Sequence, residues 1–577
     1  DDVVKKNWAA IDAGAKQVVE VQVPESWKNA EDEGLFMSHA SHGAQEAQDF
    51  VNNIQCKINA QEGNSLPVSA FKDYVDGTTP SGTAAYEKRG IAVNVPVWVP
   101  DNCIQCNRCA YVCPHAAIRP VAMTADETAN APEGIKTLPL TGMKDYTFTM
   151  TVSALDCTGC GSCANVCPGK KGNKALEMAP LEANTEEQKF FDYGVTLPQK
   201  EDVIAKYKET TVKGSQFKQP LLEFSGACAG CGETPYAKLI TQLFGDRMYI
   251  ANATGCSSIW GNSSPSTPYT TNAKGQGPAW SNSLFEDNAE FGYGMLLAQR
   301  AIRGGLKEKI EDLVANGTNE DVKAAGQEWL DTYAVGATNG AATEKLVAAL
   351  EACGCDKANE ILAQKDFLSK KSQWIFGGDG WAYDIGFGGV DHVLASGRDI
   401  NVMVFDTEVY SNTGGQSSKS TPTGAIAQFA AGGKETKKKD MASIAMSYGY
   451  VYVAQISMGA DFNQTVKAIA EAEAYPGPSL IIAYAPCINH GIKKGMSKAQ
   501  TEEELAVKCG YWHNFRFNPA ADNKFSLDSK TPDMENYMDF LNGEVRYNSL
   551  QRQNPEKAAR LFAKNESEAQ ARYEYLQ

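Results

Sequence analysis

The sequence has no long apolar run. Its longer apolar stretches, such as residues 480–485, are strand-sized and far short of the ~20 consecutive apolar residues that span a bilayer. We therefore expect no membrane partner. No charged-then-apolar leader opens the chain, so nothing points to export, and a cytoplasmic location is expected. A surplus of positive charge is also missing. The formal net charge is −16, which disfavours a nucleic-acid partner. Lys437-Lys438-Lys439 is a short basic run that reads as a solvated face, with docking to an acidic partner as the lesser reading. The first residue is Asp1 and not Met, so a piece of a longer polypeptide is expected. His39 and His42 have no carboxylate or thiol at useful spacing, and a loop or capping role is expected for them.

What is present is a chain of 577 residues, too long for one core and suited to roughly three or four domains. With 43% apolar and 21% charged residues it reads as a globular protein. Sixteen cysteines are many for this length. Without an export signal, metal ligation explains them better than disulfides do. Eight fall into two runs, Cys103, Cys106, Cys109, Cys113 with Pro114, and Cys157, Cys160, Cys163, Cys167 with Pro168. Both read C-x2-C-x2-C-x3-C-P, the spacing that wraps a cubane cluster and sends the fourth thiolate to its neighbour. One cluster should then take Cys103, Cys106, Cys109 and Cys167, and the other Cys157, Cys160, Cys163 and Cys113. Structural zinc is the weaker alternative, because zinc ribbons use paired C-x2-C knuckles. The long connection between Cys113 and Cys157 suggests an inserted hairpin or loop with a returning strand at 146–152.

Around this block the chain divides. Residues 1–95 read as a linker and a small connecting domain without chemistry of its own. They carry helix-like spacing at 5–19 and 50–58, a loop at 77–82 and a Val-rich strand at 93–99. Residues 96–199 form the expected ferredoxin-like domain. Residues 200–577 form a doubly wound α/β domain, with a charged linker at 200–220, a helical insertion at about 306–370 and a mostly helical, polar extension at 501–577. Four more cysteines are scattered through that domain. Cys228 and Cys231 form a C-x2-C, while Cys256 and Cys487 each follow a strand-like run. The carboxyl ends of strands are where ligands gather in an open α/β sheet. A third cubane, a zinc site or unrelated thiols all remain compatible with that spacing. Cys56, Cys353, Cys355 and Cys509 are left over and read as ordinary thiols. Cys353-Gly354-Cys355 could be a redox pair, although C-x-C alone is a weak signal.

A second stretch completes the picture. Strand-like 374–376 ends in Gly377-Gly378-Asp379-Gly380-Trp381, a helical run follows, and a strand at 400–405 leads into Asp406-Thr407-Glu408-Val409-Tyr410-Ser411-Asn412. Glycines let a backbone approach a diphosphate, and magnesium takes a few hard oxygens from protein. Asp379, Thr407 and the Val409 carbonyl offer these at two strand ends. The pattern resembles the thiamine diphosphate signature, with Asp406-Thr407 where transketolase-like enzymes carry an Asn pair.

Taken together, these motifs resemble the pyruvate:ferredoxin (flavodoxin) oxidoreductase family, in the C-terminal half of its fused single-chain form. Tyr86-Glu87-Lys88-Arg89-Gly90, both cluster runs, Cys228 to Glu233, Gly255-Cys256-Ser257-Ser258, Gly378 to Trp381 and Tyr410 to Gln416 carry the resemblance. It implies three [4Fe-4S] clusters, the third on Cys228, Cys231, Cys256 and Cys487, and Mg2+ held by Asp379, Thr407 and Val409. Glu233, Cys256, Gly378, Asp379, Gly380, Trp381, Thr407, Glu408, Val409, Tyr410, Ser411 and Asn412 would contact thiamine diphosphate, and Asn412 is the catalytic candidate. The implied reaction is oxidative decarboxylation of pyruvate with coenzyme A to acetyl-CoA and CO2 in anaerobic metabolism. Electrons would leave singly for ferredoxin or flavodoxin. A homodimer, and an N-terminal half bearing the pyrimidine-activating glutamate and the oxoacid site, are further implications. The competing readings are a related enzyme for another 2-oxoacid, a non-oxidative decarboxylase and a non-catalytic electron-transfer module.

Overall fold

The computed structural model of the chain describes residues 2–29, 40–41, 43–263 and 266–577, so His39 and His42 lie outside the described residues. The N-terminal helix Asp2–Lys16 buries none of its residues. Gln45–Phe50, Val51–Gln55 and Cys56–Asn59 run on as one helical stretch, as the spacing at 50–58 suggested.

A small α+β unit follows, built from β1 (Asn94–Trp98), β2 (Ile118–Met123), β3 (Leu138–Pro139), β4 (Thr147–Val152) and β5 (Leu176–Pro180). β1 pairs antiparallel with β5, and β2, β4 and β3 form a three-stranded antiparallel sheet in that order. The long connection between the cysteine runs is therefore strand, turn and returning strand. Two one-turn helices, α1 (Arg108–Tyr111) and α2 (Ser162–Val166), each begin inside a cysteine run.

The larger unit holds β6 (Met248–Ala253), β7 (Ala279–Ser283), β8 (Ser372–Gly378), β9 (Ile400–Asp406), β10 (Tyr452–Ile456), β11 (Pro478–Tyr484), β12 (Phe515–Phe517) and β13 (Phe525–Leu527). They form one sheet in the order β13-β12-β10-β11-β9-β8-β6-β7. Neighbours from β10 to β7 are parallel, and β12 and β13 add an antiparallel edge. β9 and β11 are buried at every position, which is why they read as near-continuous apolar runs and not as alternating ones. Helix α3 (Thr234–Phe244) precedes β6. Between β7 and β8 come α4 (Asn288–Asn316), α5 (Glu320–Asp331), α6 (Gly336–Cys353) and α7 (Asp356–Leu362). Then α8 (Phe387–Ala395) and α9 (Phe462–Ala474) complete the crossovers, and α10 (Pro555–Leu576) ends the chain. α3 and α9 pack on one face of the sheet, and α8 and α10 on the other. The doubly wound architecture expected from the sequence is present.

The helical insertion has its own core of Leu306, Ile310, Trp329, Leu346, Leu350 and Ile361. Helix α4 is its stem, because Ala289 and Leu296 pack on the sheet while Leu306 and Ile310 belong to the insertion core.

Two expectations need correction. The stretch 200–220 is not a linker. It forms helices Glu201–Tyr207 and Val212–Ser215, and Val203 is buried in the core of the small unit with Tyr207 and Phe217 against it. Two adjacent apolar residues in a charged stretch are enough to dock one helical turn. The extension 501–577 is mostly helical, as expected, but not simply polar. It supplies β12 and β13, and Tyr537, Leu541, Tyr547, Leu561 and Phe562 join the core on one sheet face. Three-residue strands carry too few alternations for a period-2 signal.

Candidate functional site

β6, β8, β9 and β11 are neighbours and parallel, so their carboxyl ends share one rim. Beyond them lie Cys256, Asp379, Thr407 and Cys487 respectively. A single sheet edge thus gathers residues more than 200 positions apart.

Asp379 is fully buried. Its Oδ1 accepts from the Thr407 backbone N–H at 3.2 Å and Oδ2 accepts from Ser418 Oγ at 2.6 Å. Thr407 Oγ1 lies 3.0 Å from Asp379 Oδ1 and 3.0 Å from the Val409 carbonyl oxygen. One hydroxyl proton cannot satisfy both acceptors. Burial, and then the neighbouring Asp406, push the Asp379 carboxyl up to about 8. A buried knot of carboxyl, hydroxyl and carbonyl oxygen, whose carboxyl ionises at neutral pH only against a compensating charge, fits a hard divalent cation. The glycines beside it are packing requirements. A Cβ on Gly380 would lie 2.5 Å from the Tyr410 ring, and one on Gly377 would lie 2.3 Å from the Trp381 ring.

The next residues sort differently from the sequence reading. The Asp406 carboxylate is fully engaged by Tyr383, Lys438, Ser420 and the Glu408 N–H. Glu408 adopts φ 59°, a left-handed bend between Thr407, which contacts Asp379, and Val409, whose carbonyl turns back to the Thr407 hydroxyl. Its side chain points away from the oxygen knot, to Lys438 at 2.8 Å, Arg546 at 2.8 Å and the Tyr511 hydroxyl at 2.5 Å. Burial opposes its charge, but Lys438 and Arg546 outweigh burial and hold the carboxyl down at about 2. Glu408 is a strut behind the loop. His490 buttresses the same loop by donating from Nε2 to the Thr407 carbonyl at 2.7 Å. Burial first, then Arg546, keeps His490 neutral with its pKa down at about 3. The Tyr410 hydroxyl donates to Asp384 at 2.9 Å, the Trp381 indole N–H has no partner in its buried setting, and Asn412 is exposed.

Ser411 connects this knot to the thiols. Its Oγ lies 3.5 Å from Thr407 Oγ1 and 3.1 Å from Cys256 Sγ. Cys256 lies close enough to Cys231 and Cys487, and Cys487 to Cys228, for ionisation of one thiol to oppose that of the next, so the four scattered cysteines form one neighbourhood. The Gly232 N–H donates to the Pro486 carbonyl at 3.2 Å, and a Cβ on Gly232 would lie 2.6 Å from Pro486 N. That close backbone approach sets Cys231 beside Cys487. Glu233 accepts from Trp260 Nε1 at 2.7 Å, and burial pushes its carboxyl up to about 7. A brace completes the scaffold. The Tyr236 hydroxyl on α3 lies 2.9 Å from the Tyr484 carbonyl at the end of β11 and 3.1 Å from Glu503 Oε2.

In the small unit the cysteines fall into two neighbourhoods. Cys109 senses Cys106, Cys103 and Cys167, while Cys163 senses Cys160, Cys113 and Cys157 most strongly. Cys113, Cys157, Cys160 and Cys163 line one cavity with Pro96, Pro114, His115, Ala117 and Ile118. Among the described residues no three His, Cys, Asp or Glu side chains close around a point as the ligands of a single ion would. The thiols line a space instead, and burial pushes Cys157 up to about 12, as expected for thiols that would ionise only on metal. Backbone N–H groups of Gln105, Gly159 and Ala175 donate to Cys103, Cys157 and Cys167 at 3.4, 3.4 and 3.3 Å. Residues of left-handed backbone shape both loops, Gln105 and Asn107 in one, Gly159 and Gly161 in the other.

The sequence reading missed the groups that join the two units. Gly230, inside the Cys228–Cys231 loop, lies next to Cys160. His115 Nδ1 lies 3.1 Å from the Ser225 carbonyl, three residues before Cys228. Lys238 of α3 is buried and donates to the Tyr111 carbonyl at 3.0 Å and to the Ala110 carbonyl, beside Cys109. A lone lysine in the apolar run of α3 was the available signal. Lys88 pairs with Asp156 at 2.6 Å, immediately before Cys157.

Comparison with known proteins gives the following. Residues 333–483 match a family described as thiamine pyrophosphate enzyme, C-terminal TPP binding domain. Residues 99–171 match a 4Fe-4S dicluster domain, and residues 38–92 match EKR, a domain of unknown function. Over 99% of its length the chain is 55% identical to a pyruvate-flavodoxin oxidoreductase of Enterobacter agglomerans, covering 48% of that protein. It is 54% identical over 100% of its length to the pyruvate:ferredoxin oxidoreductase of Moorella thermoacetica, covering 49%. It is 46% identical over 99% of its length to the mitochondrial pyruvate dehydrogenase [NADP(+)] of Euglena gracilis, covering 31%. The chain thus spans about half the length of the first two relatives and about a third of the last.

Proposed function

From a chain related throughout its length to the pyruvate-flavodoxin and pyruvate:ferredoxin oxidoreductases, we propose the cofactor-bearing half of an enzyme that converts pyruvate and coenzyme A to acetyl-CoA and CO2, with ferredoxin or flavodoxin as electron acceptor. The observation that carries the proposal is the continuous line of contacts from Asp379 and Thr407 through Ser411 to Cys256. Bound thiamine diphosphate supplies an electron sink for loss of CO2 from a 2-oxoacid, and cubane clusters take electrons singly.

In this reading Asp379, Thr407 and the Val409 carbonyl hold Mg2+, and Gly378 to Trp381 with Thr407 to Asn412 line the thiamine diphosphate site. The side chain of Glu408 supports the loop from behind. Ser411 lies between that site and Cys256, and Glu233 lies beside the thiols; Cys228, Cys231, Cys256 and Cys487 would ligate the nearest cluster. The Gly230–Cys160 and Cys163–Cys109 proximities order the remaining path: first the Cys113, Cys157, Cys160, Cys163 set, then the Cys103, Cys106, Cys109, Cys167 set. Asn412 is exposed at the loop and is our candidate for contact with the reacting group. No helix among the described residues is long and apolar enough to cross a membrane, and a cytoplasmic homodimer completes the proposal.

The test is acceptor reduction by the full-length enzyme with pyruvate and coenzyme A. Faster turnover of a bulkier oxoacid would overturn the pyruvate assignment, and absence of acceptor reduction would overturn the oxidative one. Iron and sulfide of about twelve each per chain would support three cubanes, and about eight would leave two.

A further inference from the structure

Cys353 and Cys355 stand outside every set described so far. Cys353 is the last residue of α6, Gly354 turns the chain with φ 60°, and Cys355 immediately precedes α7. The two Sγ atoms are 3.1 Å apart, with the Cys353 thiol donating to Cys355. Cys355 is exposed and Cys353 partly so, whereas Cys56 and Cys509 are buried. The thiol of Cys353 first, and the Ala358 N–H second, hold Cys355 below the ordinary thiol range. A thiol that is both accessible and easily ionised is the one that attacks a disulfide. The pair caps the insertion, whose core is separate from both faces of the sheet.

We propose that Cys353 and Cys355 form a reversible dithiol–disulfide couple that exchanges with small-molecule disulfides, a modification site separate from the iron-ligating cysteines. The Cys355 thiolate attacks one sulfur of a small disulfide, forming a mixed disulfide and expelling one small thiolate. Cys353 then loses its proton to solvent and attacks the Cys355 sulfur. The Cys353–Cys355 bond forms, the mixed disulfide breaks, and a second small thiolate leaves. Both leaving thiolates take protons from solvent, so two protein thiols are oxidised while one disulfide is reduced to two thiols.

The experiment treats the full-length holoenzyme, without oxygen, with glutathione disulfide and then maps the tryptic peptide of residues 346–357. The wild-type peptide should become two hydrogens lighter at unchanged iron content and return to its original mass with a dithiol reductant. Cys353→Ser should instead trap one glutathionyl group on Cys355. Cys355→Ser should slow the first step at least tenfold. Gly354→Val, which disfavours the left-handed turn, should accumulate the mixed disulfide in place of the internal one. Two free thiols in the wild-type peptide at excess glutathione disulfide, or a mixed disulfide that persists there unresolved, would overturn the proposal.

Discussion

The two cysteine-rich regions gather their thiols by opposite routes. In the small unit, eight thiols come from 65 residues of chain, and the loops shape themselves through their own left-handed residues and N–H···S bonds. At the rim of the sheet, four thiols and three oxygens come from five separate segments spanning residues 228–487, and only the parallel order β11-β9-β8-β6 brings them together. A site written in consecutive residues tolerates loss of distant packing. A site assembled by a fold depends on every brace behind it.

The sharpest break in the comparison is Asp379→Asn. It should reduce pyruvate-dependent acceptor reduction at least a thousandfold and abolish magnesium-dependent thiamine diphosphate binding in equilibrium dialysis. Iron content should stay unchanged, because the small unit does not use that carboxylate. Equal iron loss would show that the two regions are not independent. Next comes Cys487→Ala, which should lower iron from about twelve to about eight per chain and slow electron exit while both ferredoxin-type signals persist in paramagnetic resonance.

Lys238→Met probes the join. Removing a buried cation beside Cys109 should lower the potential of the adjacent cluster by roughly 50–100 mV in a redox titration, again at constant iron. Glu503 probes the brace through pH. Burial pushes its carboxyl up to about 8, above the ~4.3 of an unfolded chain. The native state therefore binds more protons between those values, and its stability contribution falls as pH rises through that window. Glu503→Gln should flatten the pH dependence of thermal unfolding by ~3 °C across it. The smallest effect separates the two cysteine loops themselves. Gly159→Ala sets a Cβ 2.9 Å from the Asn94 carbonyl oxygen and should cost about 1–3 kcal/mol, whereas Gln105→Gly should change stability by less than about 1 kcal/mol.

Much of this contrast was legible in the sequence, for reasons that follow from it. Spacing alone pointed to the dicluster domain of residues 99–171, because the motif is local. β8, β9 and β11 were readable as apolar runs because parallel strands are buried on both faces. What spacing could not convey was contact across the units. Nothing local marks Gly230 as a neighbour of Cys160, or Ser411 as the link between Thr407 and Cys256. The direction of the Glu408 side chain was not legible for a related reason. Its neighbours on either side face the oxygen knot, but its own left-handed backbone turns the carboxylate the other way, towards Arg546. The helices at 201–215 and the β12–β13 hairpin were missed because each is stabilised by a few tertiary contacts rather than by its own pattern.

The stem helix α4 has a practical consequence. Its first half rests on the sheet and its second half on the insertion core, so the turn between α5 and α6 is coupled to the sheet through that rod and through Arg247, whose guanidinium lies against Gly336. A fluorophore or surface anchor attached at that turn would report on the whole molecule or tether it to an electrode. It would do so without displacing a residue of either sheet face.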